Sequence, residues 1–210
     1  MIKSRKVHLA CALTFLGSST TTLAGGLISY EVGTADVGLA SAGYSARGQD
    51  PTTVLTNPAG MSRLPGTQLL VGAQALNGHA NFSTESGTSP QLGSDSGGNP
   101  VGWFPGGGVF VTHQISPQIT LGFASTGNFG ASVDYHDDWV GRYRVQEATL
   151  LGASLLPSIA YRVNEKLSLG ASVNLMYGVL KNKVAINNPL RLRDGELKLD
   201  DYKWGTGFNL

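Results

Sequence analysis

The chain has 210 residues with 29 glycines, is only 14% charged, and carries a formal net charge of +1. So little charge beside so much glycine is foreign to an ordinary cytosolic enzyme. The near-neutral balance, which turns slightly negative if Lys3, Arg5 and Lys6 leave with a leader, argues against a nucleic-acid partner.

Residues 1–24 have a basic start at Lys3, Arg5 and Lys6, an apolar stretch over 7–17, a Ser/Thr region and the small-residue end Thr22-Leu23-Ala24. This pattern predicts a secretory signal peptide cleaved after Ala24. Its apolar run is too short to span a bilayer as a helix. The only cysteine, Cys11, lies inside it, so the exported chain has no thiol for a disulfide. A lipid-modified Cys11 would follow His8-Leu9-Ala10 and cut the apolar run short, so Cys11 reads as a small residue of a discarded leader.

Residues 25–66 are rich in Gly, Ala and Thr and have neither helical nor strand periodicity. At their centre stands Asn57-Pro58-Ala59-Gly60. Pro58 has a fixed φ and no donor, Gly60 tolerates positive φ, and Asn57 can bond its own backbone, so the four form a rigid turn.

From Thr67 the pattern changes to period two. A first strand is expected over 68–82, a second over 107–115, and a third over 119–128, where Ile119, Leu121 and Phe123 alternate with small and polar residues. A fourth covers 148–163, with Leu151, Ala153, Leu155, Pro157, Ile159, Tyr161 and Val163 on one face. The fifth is the clearest. Leu167, Leu169, Ala171, Val173, Leu175, Tyr177 and Val179 oppose Ser168, Gly170, Ser172, Asn174, Met176 and Gly178. A sixth is expected from near Trp204 to Leu210.

The fourth and fifth runs exceed the roughly five or six residues usual in soluble sheets and suffice for a tilted membrane crossing. Long connections (83–106, 129–147, 185–203) alternate with the tight turns Ser116-Pro117-Gln118 and Asn164-Glu165-Lys166. Short turns on one side and long loops on the other are the arrangement of an outer-membrane barrel with periplasmic turns. Strands in hydrocarbon must close on themselves, and membrane barrels start at roughly eight strands. The chain is therefore expected to be the N-terminal part of a longer all-β, antiparallel transmembrane barrel. Its divisions would be a leader over 1–24, an aperiodic segment over 25–66 and the first strands over 67–210. A secreted β-sandwich is the alternative that takes the length at face value.

No nucleophile elbow, P-loop or paired-carboxylate motif occurs, and Gly106-Gly107-Gly108 opens a strand rather than the helix a phosphate cradle needs. No enzymatic activity and no cofactor are expected. The four histidines form no metal-spaced pair, and His113 reads as a lumen or interface residue. Asp134, Asp137 and Asp138 around His136 are the densest acidic cluster, read as a solvated loop rather than a divalent-ion site. Trp103, Phe104, Trp139 and Tyr143 lie near outer strand ends and suit an interfacial aromatic girdle.

Taken together, the leader, Tyr30-Glu31-Val32-Gly33, Gly38-Leu39-Ala40-Ser41-Ala42-Gly43, Gln49-Asp50, Thr56-Asn57-Pro58-Ala59-Gly60-Met61 and the following strands resemble the FadL family of outer-membrane transporters. The resemblance implies a 14-stranded barrel in the bacterial outer membrane that passes long-chain fatty acids or aromatic hydrocarbons. It makes 25–66 a plugging hatch, with Asn57, Pro58, Ala59 and Gly60 as its gating turn. It also makes Gly127, Asn128, Phe129 and Gly130 the neighbourhood of a third-strand kink that the turn approaches and where the wall opens sideways. The implied partners are a hydrophobic small molecule and outer-membrane lipid, with no nucleic acid, and the implied assembly is a monomer. An adhesive or structural outer-membrane barrel, binding surfaces through its external loops, is the rival function.

Overall fold

A computed structural model of the protein describes residues 32, 34–190 and 193–210. The expected leader, Cys11 and most of Tyr30-Glu31-Val32-Gly33 lie outside the described residues. Six strands, β1 (Thr67–Gly78), β2 (Gly102–Gln114), β3 (Ile119–Asp134), β4 (Glu147–Arg162), β5 (Ser168–Ile186) and β6 (Gly195–Asn209), form one antiparallel sheet in sequence order. Among the described residues no helix is long and apolar enough to cross a membrane.

All six elements occur where alternation predicts them, but their upper ends move. β1 stops at Gly78 because Asn99, from the following loop, takes its terminal groups: Asn99 Nδ2 donates to the Gly78 carbonyl at 3.0 Å, and Ala80 N–H donates to Asn99 Oδ1 at 3.0 Å. β2 begins at Gly102, so the triple glycine is interior to it and faces Gly72, Ala73 and Gln74. β3 and β5 run on to Asp134 and Ile186, and β6 starts at Gly195 rather than near Trp204. The start of β6 is charged, with Glu196, Lys198 and Asp200, and that of β2 holds Gly102, Pro105 and Gly106, and such residues imitate a loop. Strands of 12 to 19 residues outrun the 9–11 or so needed to cross lipid, and their surplus stands in water. There a charged face costs little, and Lys183 and Glu196 pair across β5 and β6 at 2.9 Å.

Register gives each strand an inner and an outer face. The rung Thr120, Ala160 and Gly170 lies on the face that covers the aperiodic segment, as do Phe110, Ala124 and Leu156. The opposite face carries Leu69, Val71, Leu121, Phe123, Ile159, Tyr161, Leu169 and Val173, all exposed. An apolar belt this continuous, outside a sheet whose inner face is small and polar, is the surface a bilayer requires.

Inside, the segment 34–66 contains two short helical turns, α1 (Ala35–Gly38) and α2 (Thr53–Thr56), and a 3₁₀ turn at Pro58–Arg63. Asp50 organises its bend by accepting from Thr52 N–H at 2.8 Å and Thr52 Oγ1 at 2.5 Å. Val54 and Met61 are fully buried and pack with Val32 against Phe110, Ala124, Leu156 and Ala160. Two glycines of the wall make room for the segment. A Cβ on Gly122 would stand 2.3 Å from Met61 Sδ, and one on Gly170 would stand 2.1 Å from Ala59 N, where there is backbone and nothing can swing away.

Replacing Gly170 with Val in the full-length protein is expected to unseat the segment at a cost of about 2 kcal/mol or more, the usual penalty of overpacking. Limited proteolysis would then cut within 34–66 while heat-dependent gel migration, the mark of an intact barrel, persists. Protease resistance equal to wild type would show that the contact at Gly170 does not hold the segment.

Candidate functional site

The expected turn residues sit low in the sheet. Pro58 is buried, and the Pro58–Ala59 peptide lies on Gly170 of β5. Asn57 Nδ2 donates to the Ser45 carbonyl at 2.8 Å, tying the turn to the preceding chain. Gly60 lies against the Thr53 side chain. Ser62 Oγ donates to the Ala59 carbonyl at 2.8 Å and stands 2.8 Å from Ser168 Oγ, so a hydroxyl pair fastens the turn to β5.

The other expected residues form a bulge. β3 pairs with β4 as Gly127 with Ala153 and then Phe129 with Gly152, so one residue is inserted at Asn128. Asn128 and Phe129 both turn inward. Asn128 Nδ2 donates to Ser154 Oγ while its Oδ1 is buried without a partner, and the Phe129 ring lies over Gly152.

The structure does not bring turn and bulge together. The turn lies on the rung of Thr120, Ala160 and Gly170, and the bulge on that of Gly127, Ala153 and Tyr177, roughly 20 Å along the strands at about 3.3 Å per residue. The expected approach of Asn57-Pro58-Ala59-Gly60 to the third-strand kink is therefore absent in this arrangement. The physical reason is the seat at Gly170, which admits the turn backbone near the short-turn end of β5.

Above the bulge the wall is broken. β2 and β3 pair only from Gln114 with Thr120 up to Gly108 with Thr126, although β2 extends back to Gly102 and β3 on to Asp134. A slit remains between them. The Phe104 ring fills it against Gly130, where a Cβ would stand 2.1 Å from the ring. Gln74, Leu76, Phe104, Gly127 and Phe129 line a small cavity of about 60 Å³ there. Phe104 thus belongs to the slit, whereas its neighbour Trp103, 72% exposed, stays on the outer face.

The bulge also changes what the inner face presents. Below it the inward residues of β3 are Thr120, Gly122, Ala124 and Thr126; above it they are Phe129, Ala131 and Val133. The same rungs bring Leu150 of β4, Leu180 and Val184 of β5, and Leu197 and Leu199 of β6 to that face. Leu180, Leu197 and Leu199 are exposed there. Outside, the apolar belt ends at Tyr177 and Trp204, whose rings stand 5.2 Å apart, and gives way to Lys181, Lys183, Lys198 and Asp200. Apolar and polar faces therefore exchange sides as the strands leave the membrane.

The connections 79–101 and 135–146, with Asp194, pack on one another as a cap at the upper strand ends. Trp139 does not join a lipid girdle: at 5% exposure it stacks on Tyr135 at 3.8 Å, meets Phe82 edge-on at 5.6 Å and donates to the Val145 carbonyl at 2.7 Å. Its indole is the core of the cap. Tyr143 is also taken inward, donating to Asp194 at 2.8 Å, and Arg142 pairs with Asp194 at 2.9 Å. The Arg142 guanidinium, with the Tyr143 hydroxyl, holds the Asp194 carboxyl below its ordinary value. Of the acidic cluster, Asp137 accepts from Lys183 at 3.0 Å and His136 stands 3.5 Å from Asp95. Among the described residues no three potential metal ligands converge. His113 lies on the outer face beside the short turns, its Nδ1 2.7 Å from Thr67 Oγ1.

A family model described as "Outer membrane protein transport protein (OMPP1/FadL/TodX)" matches residues 15–210. A long-chain fatty acid transport protein of Salmonella typhi is 28% identical over 97% of this chain and 50% of its own length. Outer membrane protein P1 of Haemophilus influenzae is 30% identical over 85% of this chain and 48% of its own. The chain thus spans about half the length of the curated relatives it matches. A Pseudomonas aeruginosa FadL homologue superposes with a TM-score of 0.68 at 22% identity, covering 88% of this chain and 48% of that one. The CymD monoaromatic hydrocarbon channel follows at a TM-score of 0.51 and 15% identity, over 80% and 46%. These likenesses in fold are to outer-membrane barrels, and the six-stranded sheet is part of such a wall.

Because Asp194 has a lowered value in the folded chain, its contribution to the cap is present above the unfolded carboxylate range and is lost as pH falls through the folded value. Hydrogen exchange of the 137–145 amides is expected to be unchanged between pH 8 and 5 after correction for intrinsic rates, and to accelerate only below about pH 4. Asp194→Asn should show the faster exchange already at neutral pH. A cap equally protected in that variant would remove the clamp from the account.

Proposed function

Since the chain belongs to the outer membrane protein transport family (OMPP1/FadL/TodX), we propose that it forms the gated entry half of a passive channel for hydrophobic solutes. Residues 34–66 act as the hatch, and the slit between β2 and β3 is the sideways exit. The observation that carries this reading is the lapse of the β2–β3 ladder above Gly108 and Thr126. A strand edge left open where the apolar belt ends exposes unpaired backbone groups, which lipid alone cannot satisfy. Such a break persists only where protein, water or a passing solute lines it.

The route begins at the cap. An apolar solute leaves water for the inner wall of Phe129, Val133, Leu150, Leu180, Leu197 and Leu199, where transfer is favourable by about 25 cal/mol per Å² buried. Downward passage is closed by the seated hatch, with Val54 and Met61 packed on the wall. Sideways passage is closed by Phe104 on Gly130. Rotation of the Phe104 ring opens the slit toward the outer apolar belt, so the solute reaches the bilayer without crossing the aqueous periplasm. No energy source is needed, because the solute moves from water to hydrocarbon.

Cysteines placed at Phe104 and Gly130 in a full-length chain free of other cysteines, and joined through two disulfides by a short bis-methanethiosulfonate linker, are expected to stop uptake of apolar solutes. Reduction should restore it. Uptake unaffected by the cross-link would exclude the slit as the exit. Separately, Asn57→Ala with Pro58→Ala loosens the hatch turn and is expected to change uptake severalfold. A rate equal to wild type, while uptake still depends on the protein, would end the gating role of the turn.

A further inference from the structure

Beneath the hatch turn lies a cleft of about 500 Å³ whose rim is made by the segment 46–63 on one side and the β4–β5 turn on the other. Four cations line it, Arg47, Arg63, Arg162 and Lys166, against one carboxylate, Glu165. Arg47 has a partner of its own. Among the described residues no ion pair involves Arg63, Arg162 or Lys166.

The backbone that carries each of these cations is fixed by the chain around it. Arg63 closes the 3₁₀ turn and its Cδ would lie 3.3 Å from a Cβ on Gly48. Arg162 ends β4, its N–H donating to the Gln118 carbonyl at 2.8 Å and its rung shared with Ser168. The turn that carries Lys166 is fixed by Asn164, whose Oδ1 accepts from Lys166 N–H at 2.8 Å and Leu167 N–H at 2.9 Å. On the opposite rim Asn57 is fixed by its bond to Ser45. Like charges gathered in a walled cleft repel one another and focus a positive potential, which an entering anion relieves. A neutral hydrocarbon gains nothing from such a surface.

We infer that this cleft is a binding site for an oxyanion, the carboxylate or phosphate head of an amphiphile, held by Arg63, Arg162 and Lys166 below the hatch. Its place on a transport route rests on the reading above, whereas the anion site itself does not. Arg162 lies on the inner face with Ser158 and Ala160, so a head group bound there sits at the short-turn mouth of the lumen, directly under the Asn57-Pro58-Ala59-Gly60 turn. A bound head would bridge hatch and wall, linking anion occupancy to the seat of the turn.

The test uses the full-length protein in zwitterionic lipid nanodiscs, with dodecanoate, dodecan-1-ol and inorganic phosphate as probes at pH 8. Arg63→Gln with Arg162→Gln is expected to weaken dodecanoate binding about tenfold, and Lys166→Gln, in the exposed turn, about threefold. Dodecan-1-ol, which reports on the lumen, should bind both variants as it binds wild type. Displacement of dodecanoate by millimolar phosphate would support a site for any small oxyanion, and failure of phosphate to displace it one that needs the attached chain. Dodecanoate binding that is absent in the wild type, or equal in wild type and double variant, overturns the cleft site. Loss of dodecan-1-ol binding in the wild type while dodecanoate binds would instead count against the transport reading alone.

Discussion

A strand in hydrocarbon has only the next strand on which to place its N–H and C=O groups, and the organisation of this protein follows from that demand. The ladder runs along β1 with β2 and from β3 to β6, interrupted by the inserted residue at Asn128 and, between β4 and β5, at Leu156 and Pro157. It lapses between β2 and β3, above Gly108 and Thr126. An inserted residue at Asn128 bends β3 away from its neighbour, and the aromatic ring of Phe104 takes the space that a backbone partner would have had. A weak hydrophobic contact thus replaces a cooperative hydrogen-bonded one over this stretch of the wall, where motion is cheap.

The same strands live in two solvents. Through the membrane the outer face is Leu, Val, Ile and Phe and the inner face Ser, Thr, Gly and Asn; beyond Tyr177 and Trp204 the arrangement reverses. On β3 the reversal is made by the bulge, which shifts parity by one residue. On β5 it is made by sequence alone, where Val179 is followed by Leu180 and then by Lys181. The result is an apolar inner wall under a cap held by Trp139 and the Arg142–Asp194 pair. Sequence and tertiary structure reach one continuous surface by different local devices.

Seating the segment 34–66 depends on absent side chains. Gly122 and Gly170 look, in the strand pattern, like the small residues expected on any inner face. Their contacts show a narrower requirement: Met61 occupies the space above one, and the Pro58–Ala59 peptide lies on the other. The turn is consequently held low on β5, at the short-turn end and away from the bulge. If it governs the slit, the two communicate through the packed hatch and the strands between them and not by contact.

Alternation and loop length, both local properties, determined by themselves that this chain is an antiparallel sheet with an outer apolar belt, and the strand positions followed. The turn at Asn57-Pro58-Ala59-Gly60 was legible from Pro58, whose φ is intrinsic, whereas Gly60 does not use its freedom of positive φ and Asn57 bonds the Ser45 carbonyl rather than its own backbone. The upper strand ends were not: Glu196 of β6 pairs with Lys183 of β5, and Lys183 with Asp137, across sequence distances that alternation does not report. Trp139 was misplaced because Phe82, from a distant connection, covers it together with the nearby Tyr135. Only the tertiary structure decided where the turn sits, what fills the slit, and that Arg63, Arg162 and Lys166 share one cleft. Each of these depends on distances between residues far apart in the chain, which the order of side chains does not encode locally.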